Sequence, residues 1–240
     1  YDALGNVTRR LEDADGARPR ITRYEYDNRG NQIRTIFPDA GKIDPANGQL
    51  IASGIQPTIE ITYDALGRAV AQKDVLGNYS YKVYDNLGRL AYDVDQENYV
   101  TAYGYDGFGQ QTNLRRHAQA LNVGALAGWS PGQPLSMAQM QAAAATSASD
   151  RTIATRYDQR GLAVQIEQAQ IAYYTSTGAA ATGSPTVRIE YDGFGNKVKE
   201  SILLEGTAGQ ADARWADTYT YYDLVGRVTM TVDAAGSDTR

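Results

Sequence analysis

The chain has 240 residues, 42% of them hydrophobic, with a formal net charge of −5, one histidine and no cysteine. That acidic balance excludes the basic face of a nucleic-acid binder. The missing cysteines exclude disulfides, thiolate metal sites and a cysteine nucleophile, and no apolar run reaches the length of a membrane-spanning helix.

Eight copies of Tyr-Asp-x-x-Gly punctuate the chain, beginning at Tyr1, Tyr26, Tyr63, Tyr84, Tyr105, Tyr157, Tyr191 and Tyr222. Tyr63, Tyr84 and Tyr105 stand 21 residues apart, which sets the basic unit, and longer intervals carry insertions. A unit of that size cannot bury its own apolar face and must stack on its neighbours. The word at Tyr1 opens the chain inside a repeat, so the chain reads as a fragment of something longer. After the word at Tyr26 (Asp27 and Gly30), residues 42–57 are rich in Gly, Pro and Asn and read as a long loop, one able to extend a hairpin.

Ile59, Ile61 and Tyr63 then alternate with polar residues up to Asp64-Ala-Leu-Gly67, the pattern of a strand entering a turn. Aspartate at the first turn position accepts a backbone N–H two residues on, and glycine at the last tolerates a positive φ. A second turn follows at Asp74-Val-Leu-Gly77. The word at Tyr84 (Asp85 and Gly88) is followed in the same way by Asp95-Gln-Glu-Asn98, and the word at Tyr105 carries Asp106 and Gly109. Two turns per 21 residues leave about six residues per strand, so each unit is predicted to be two antiparallel strands of about 20 Å.

Residues 117–150 form the longest insertion. Ser136-Met-Ala-Gln139 fits a capping box, followed by helix formers to Ala145. Leu135, Met137, Met140 and Ala144 form a small apolar stripe, so the helix is predicted to lie on the sheet face or rim, with a partner-docking helix as the alternative. His117, at the start of this insertion, is expected to be exposed. Beyond the word at Tyr157 (Asp158 and Gly161), residues 173–185 read as a flexible loop or hairpin arm. Val187, Ile189 and Tyr191 lead into Asp192-Gly-Phe-Gly195, and residues 204–215 form a further insertion in which Trp215 is an expected anchor. The last word, at Tyr222 (Asp223 and Gly226), is flanked by Thr218-Tyr-Thr-Tyr221 and by alternating Val228, Met230 and Val232, before a turn at Asp233-Ala-Ala-Gly236. The expected fold is all-β: one array of antiparallel hairpins over residues 1–240, forming a curved sheet with one short inserted helix.

Tyr63-Asp-Ala-Leu-Gly-Arg68, Tyr84-Asp-Asn-Leu-Gly-Arg89 and Tyr1-Asp-Ala-Leu-Gly-Asn6 closely resemble the consensus of the RHS/YD-repeat family. The resemblance covers nearly the whole chain outside the insertions, and Gln110 and Leu162 depart from the Asn or Arg that follows the last glycine of the word. The family includes bacterial polymorphic toxins, the B–C components of insecticidal Tc toxins and the teneurins. The resemblance implies a spiralling hollow shell that encloses a C-terminal toxic domain until delivery. Asp44-Pro-Ala-Asn-Gly48 superficially matches the family's processing motif, but lies in an early insertion with an extra residue before Gly48, and is read as a loop.

Tyr-Asp pairs are acid–base groups in principle. Eight copies at a turn position that needs them sterically argue for architecture, and nothing among 28 acidic residues selects a glycosidase pair. Asp93-x-Asp95-x-Glu97 departs from a calcium loop, having Gly104 where the terminal glutamate belongs. No catalytic residue, cofactor or metal is assigned. The 18 tyrosines, against 3 Phe and 2 Trp, are expected to pack across strands. The resulting expectation is a non-enzymatic, secreted or surface-exposed bacterial shell segment that helps encapsulate and deliver a C-terminal toxin, with adjacent repeats and that cargo as partners. The alternative is an adhesin-like surface module binding carbohydrate or a partner protein through tyrosines or insertions.

Overall fold

The computed structural model describes residues 1–12, 20–47, 50–51, 53–126 and 128–239. The chain divides into two compact units, residues 1–100 with 119–145, and residues 101–118 with 146–240. Each is an antiparallel β-sheet built from the alternating segments around the Tyr-Asp-x-x-Gly words.

The first unit contains β1 (Arg9–Glu12), β2 (Arg20–Tyr26), β3 (Gln32–Ile36), a two-residue-per-strand hairpin of β4 (Lys42–Ile43) and β5 (Leu50–Ile51), then β6 (Thr58–Tyr63), β7 (Ala69–Lys73), β8 (Tyr79–Tyr84) and β9 (Leu90–Val94). Neighbours in its sheet follow chain order, β1-β2-β3-β6-β7-β8-β9, with the β4–β5 hairpin set apart. The region read as a loop at 42–57 therefore carries a short hairpin, and backbone bonds from Phe37 N–H to the Pro57 carbonyl (2.9 Å) and Ala40 N–H to the Ile55 carbonyl (2.9 Å) close its base. Gly48 lies outside the described residues.

Residues 119–145 cover one face of this sheet. Their helix α1 (Met137–Ala143) starts at Ser136, whose side chain accepts the Gln139 N–H while the Gln139 side chain accepts the Ser136 N–H at 2.9 Å, a complete capping box. Met140, fully buried, and Leu121 and Leu135 from this segment pack with Ala71, Tyr81, Val83, Val94 and Val100 into one cluster. Cross-strand partners share a face, and Ala71, Tyr81 and Val94 are paired in one row across β7, β8 and β9. Tyr79 stacks on Tyr81 at 6.1 Å, and Trp129 meets Tyr81 edge-on at 5.3 Å. Gly132 is the touchdown point: its N–H donates to the Tyr81 hydroxyl (3.3 Å), and its carbonyl accepts the Thr62 hydroxyl (3.3 Å).

The second unit contains β10 (Val100–Tyr105, its first residue counted with the first unit), β11 (Gln111–Arg116), β12 (Arg151–Tyr157), β13 (Ala163–Gln168), β14 (Ile171–Tyr174), β15 (Ala180–Gly183), β16 (Thr186–Tyr191), β17 (Lys197–Glu205), β18 (Arg214–Tyr222), β19 (Val228–Val232) and β20 (Asp238–Thr239). Here too the order follows the chain, β10-β11-β12-β13-β16-β17-β18-β19-β20, with β14–β15 as a separate hairpin arm. Residues 204–215 hold more regular structure than a loop: β17 and β18 run nine residues each, so the material lengthens a hairpin. No buried hydrophobic residue occurs in this unit among the described residues; its buried side chains are His117, Asp150, Thr186 and Ser201.

His117 is thus buried, against the expectation of an exposed residue. The cause is Asp150, whose side chain is 2% exposed. Its carboxylate accepts the Ala118 N–H (3.0 Å), the Ser147 N–H (3.1 Å), the Ser147 hydroxyl (2.9 Å) and an Arg115 guanidinium N–H (3.2 Å). Those bonds fold the end of β11 onto the residues before β12, and His117, with Nδ1 3.8 Å from Asp150, is enclosed between them.

Candidate functional site: the repeated turn and its tyrosine lock

Each word makes the same turn. In the Tyr63 word, Gly67 N–H donates to the Asp64 carbonyl (3.1 Å) and Asp64 N–H to the Arg68 carbonyl (2.9 Å). The Asp64 Oδ1 accepts the N–H groups of Leu66 and Arg68, both at 2.9 Å. Asp27, Asp85, Asp106, Asp158, Asp192 and Asp223 accept the corresponding pair of amides in their own words. One bond, two residues on, follows from the turn chemistry of aspartate. The second, four residues on, fastens the start of the outgoing strand as well.

Gly30, Gly67, Gly88, Gly109, Gly161, Gly195 and Gly226 all hold positive φ values between 78° and 89°. A side chain is disfavoured there on conformational grounds alone. At Gly161 a Cβ would also stand 2.8 Å from the flexible end of the Gln110 side chain, which can swing aside. A register shift accompanies each of these seven turns, as between Thr62 and Tyr63 or Glu190 and Tyr191, and is absent from the second turn at Asp74. Such bulges increase local twist and re-aim side chains.

The re-aimed side chain is the tyrosine. Tyr26, Tyr63, Tyr84, Tyr157, Tyr191 and Tyr222 donate their hydroxyls to the carbonyls of Val7, Gln32, Ala69, Gln111, Ala163 and Lys197, at 2.9–3.3 Å. Each acceptor is the second residue after the last glycine of the preceding word. Every such bond therefore fastens one hairpin to the hairpin before it. The remaining strand-end tyrosine, Tyr105, ends β10, where the register shift falls between Gly104 and Tyr105.

The residue after the last glycine also has a role the sequence reading left unassigned. Its side chain clasps the free Oδ2 of the turn aspartate: Asn31 on Asp27 (2.9 Å), Arg68 on Asp64 (2.7 Å), Arg89 on Asp85 (2.8 Å), Asn196 on Asp192 (2.9 Å) and Arg227 on Asp223 (2.7 Å). Leu162 has no donor to offer, and Arg160, inside the turn, bonds Asp158 Oδ2 instead (3.1 Å). Arg68 also lies over the Tyr84 ring at 4.2 Å, so one guanidinium joins two words. The signal for this clasp was visible in the Asn-or-Arg preference at that position.

These contacts hold the carboxyls of Asp27, Asp64, Asp85, Asp158, Asp192 and Asp223 below their ordinary range. The Asn31 side-chain amide is the largest cause at Asp27, and the Arg227 backbone N–H at Asp223. At Asp64, burial pushes upward and is outweighed by the backbone and side-chain bonds from Arg68. Carboxylates engaged by this many donors are poor proton acceptors, so the arrangement fastens chain to chain. Among the described residues no group of three or more His, Cys, Asp or Glu side chains is placed to hold a metal ion. No helix among them is long and apolar enough to cross a membrane.

The fold and its punctuation define a class: an antiparallel β-protein assembled from short repeated hairpins. Residues 1–42 match the RHS Repeat family model. The comparison with curated proteins returned no match. Among solved structures, the Photorhabdus luminescens Tc holotoxin pore carrying the TccC3-D651A mutation is similar at 14% identity, with a TM-score of 0.36, over 99% of this chain and 17% of that one. The TcdB2-TccC3-TEV and TcdB2-TccC3-Cdc42 structures are similar at 17% identity and a TM-score of 0.26, over 97% of this chain and 15% of theirs. The chain thus spans 15–17% of the length of the chains it matches.

Proposed function

We propose that this chain is a non-enzymatic wall segment of an RHS/YD-repeat shell, made by a bacterium, acting outside the cell and enclosing a C-terminal toxin of its parent polypeptide. The observation that carries the reading is the tyrosine lock. The same hydroxyl-to-carbonyl bond recurs from word to word, which suits a wall that extends by adding copies. Repeat arrays owe their stability to such nearest-neighbour terms. The turn residues serve this reading as structural positions, with adjacent repeats and the enclosed cargo as partners.

The test is protease protection in the longest natural polypeptide that contains this segment. The region downstream of the repeats should resist digestion while the repeats are folded. It should become cleavable when Tyr63, Tyr84, Tyr157 and Tyr191 are changed together to Phe. Equal cleavage of the downstream region with and without the repeats would sink the shell reading. The adhesin-like alternative draws support from one place, a polar cavity in the second unit.

A further inference from the structure

That cavity, of about 380 Å³, opens on one face of the second unit's sheet. Arg156, Gln165 and Arg188 are paired in one row across β12, β13 and β16 and so share that face. The two arginines, both lining the cavity, stand two strand spacings apart, roughly 9–10 Å at the backbone. Neither forms an ion pair or a hydrogen bond with any described residue, although the chain as a whole is acidic. Arg188 lies over the Trp215 ring at 4.4 Å, which holds its guanidinium in place.

The far wall comes from the β14–β15 arm, through Thr182 and Ser184, with Gln170 just before the arm. That wall is fixed. Tyr173 on the arm accepts the Gly206 N–H at 3.1 Å, and the arm's turn residue Ser176 is bonded to Glu205 through both its N–H and its hydroxyl. Gln170, Thr182 and Ser184 spend no side-chain hydrogen bond on any described residue. Glu167, 3.4 Å from the Gln165 amide, also lines the cavity, with Gly183, Thr186, Thr207 and Ala208.

Unpaired guanidiniums beside unspent hydroxyls, an amide and one carboxylate describe a particular ligand chemistry. Arginine is suited to carboxylate and sulfate through its planar fork of donors. The hydroxyl and amide groups suit a polyol. Glu167 would repel a compact inorganic anion, yet accepts hydroxyl donors well. The volume falls in the range of small-ligand sites. We propose that the cavity between the β14–β15 arm and the β12–β13–β16 row binds an acidic saccharide, its carboxylate on Arg156 and Arg188 and its hydroxyls on Glu167, Gln170, Thr182 and Ser184. This goes beyond the shell reading, and either can fail without the other.

Titration calorimetry on the full chain decides it, with tri-galacturonate and 3′-sialyllactose as acidic probes, and lactose and inorganic sulfate as controls. The expected result is saturable binding of at least one acidic saccharide and none of lactose. Arg156→Gln and Arg188→Gln should each weaken it about tenfold or more, the size of one lost charge-assisted bond. Arg156 is exposed and outside the Trp215 contact, so Arg156→Gln decides the matter should Arg188→Gln fail to fold. Absence of binding by both acidic saccharides, sulfate binding as tightly as they do, or binding undiminished in Arg156→Gln overturns the proposal.

Discussion

Tyr81 and Tyr219 occupy the same place in their repeats, three residues before the word tyrosine, yet Tyr81 is 2% exposed and Tyr219 39%. Val83 and Tyr221, one residue before it, differ likewise, at 3% and 48%. The backbone is the same in both regions: paired strands, an Asp-x-x-Gly turn, a bulge and a tyrosine lock. What differs is the cover. Over β8 and β9 the insertion lays Leu121, Leu135 and Met140 on the sheet and makes an apolar core. In the second unit the same face carries Arg156, Arg188, Glu190, Lys199 and Asp217, with Lys199 and Asp217 paired at 2.9 Å, and the buried residues are polar. The repeat therefore supplies a scaffold that stands through hydrogen bonds and stacking of neighbours, and its face is free to become core or polar surface.

The comparison breaks most sharply at Met140. Met140→Ala removes a fully buried side chain from the cover and should cost about 2–5 kcal/mol, read by chemical denaturation. Amide exchange should accelerate in β8 and β9 while β16–β18 stay protected. Acceleration of all these strands together would show that the cover stabilises the second unit too.

Asp150 is the second unit's counterpart. Asp150→Asn should cost about 1–3 kcal/mol at neutral pH, because buried donors lose a charged acceptor. The Ala118 backbone N–H, followed in the opposite sense by burial and then by the Ser147 and Arg115 donors, holds this carboxyl well below the usual range. A depressed carboxyl stabilises the fold above the unfolded-state value, near pH 4, and that contribution fades as pH falls through the folded value. Stability measured from pH 5 downward should thus fall less steeply in Asp150→Asn than in the parent chain. Parallel curves would remove Asp150 from the account.

Gly161→Ala introduces a strained φ of 86°, while the Gln110 side-chain end 2.8 Å from the new Cβ can swing aside. It should cost about 1–3 kcal/mol, as should Gly178→Ala, where φ is 80° and nothing stands within 4 Å. Unchanged melting temperatures in both variants would count against the left-handed glycine as a requirement of these turns. The smallest effect belongs to a single lock: Tyr191→Phe removes one hydroxyl bonded to Ala163 at 3.1 Å. About 0.5–1.5 kcal/mol is expected, and no change at all would count against the lock as a stabilising element.

Much of this was legible in the residues. Aspartate and glycine at fixed offsets specify their turn locally, alternation around Ile59 and Val187 specifies strands, and Ser136 with Gln139 specifies a helix start. The rest depends on contacts distant in the chain. Nothing near Tyr26 shows that its hydroxyl reaches the Val7 carbonyl, 19 residues back. His117 looked like a loop residue because Asp150, which encloses it, lies 33 residues away. The bulge beside each word is invisible to strict alternation, since it inserts a residue without changing the residue types on either side. The unpaired Arg156 and Arg188 fall into one row only once β12, β13 and β16 are in register.

The acceptor of every lock is a main-chain carbonyl, whichever side chain it carries: Val7, Gln32, Ala69, Gln111, Ala163 and Lys197 serve equally. A docking bond that ignores side-chain identity makes the words interchangeable, because each presents the plug that fits its predecessor and the socket its own successor needs. Gene segments encoding such words are open to duplication, deletion or shuffling between arrays with their junctions still matched. Sequence drift between the words is then free to fashion local features such as the Tyr81 core or the arginine-lined cavity, one stretch at a time.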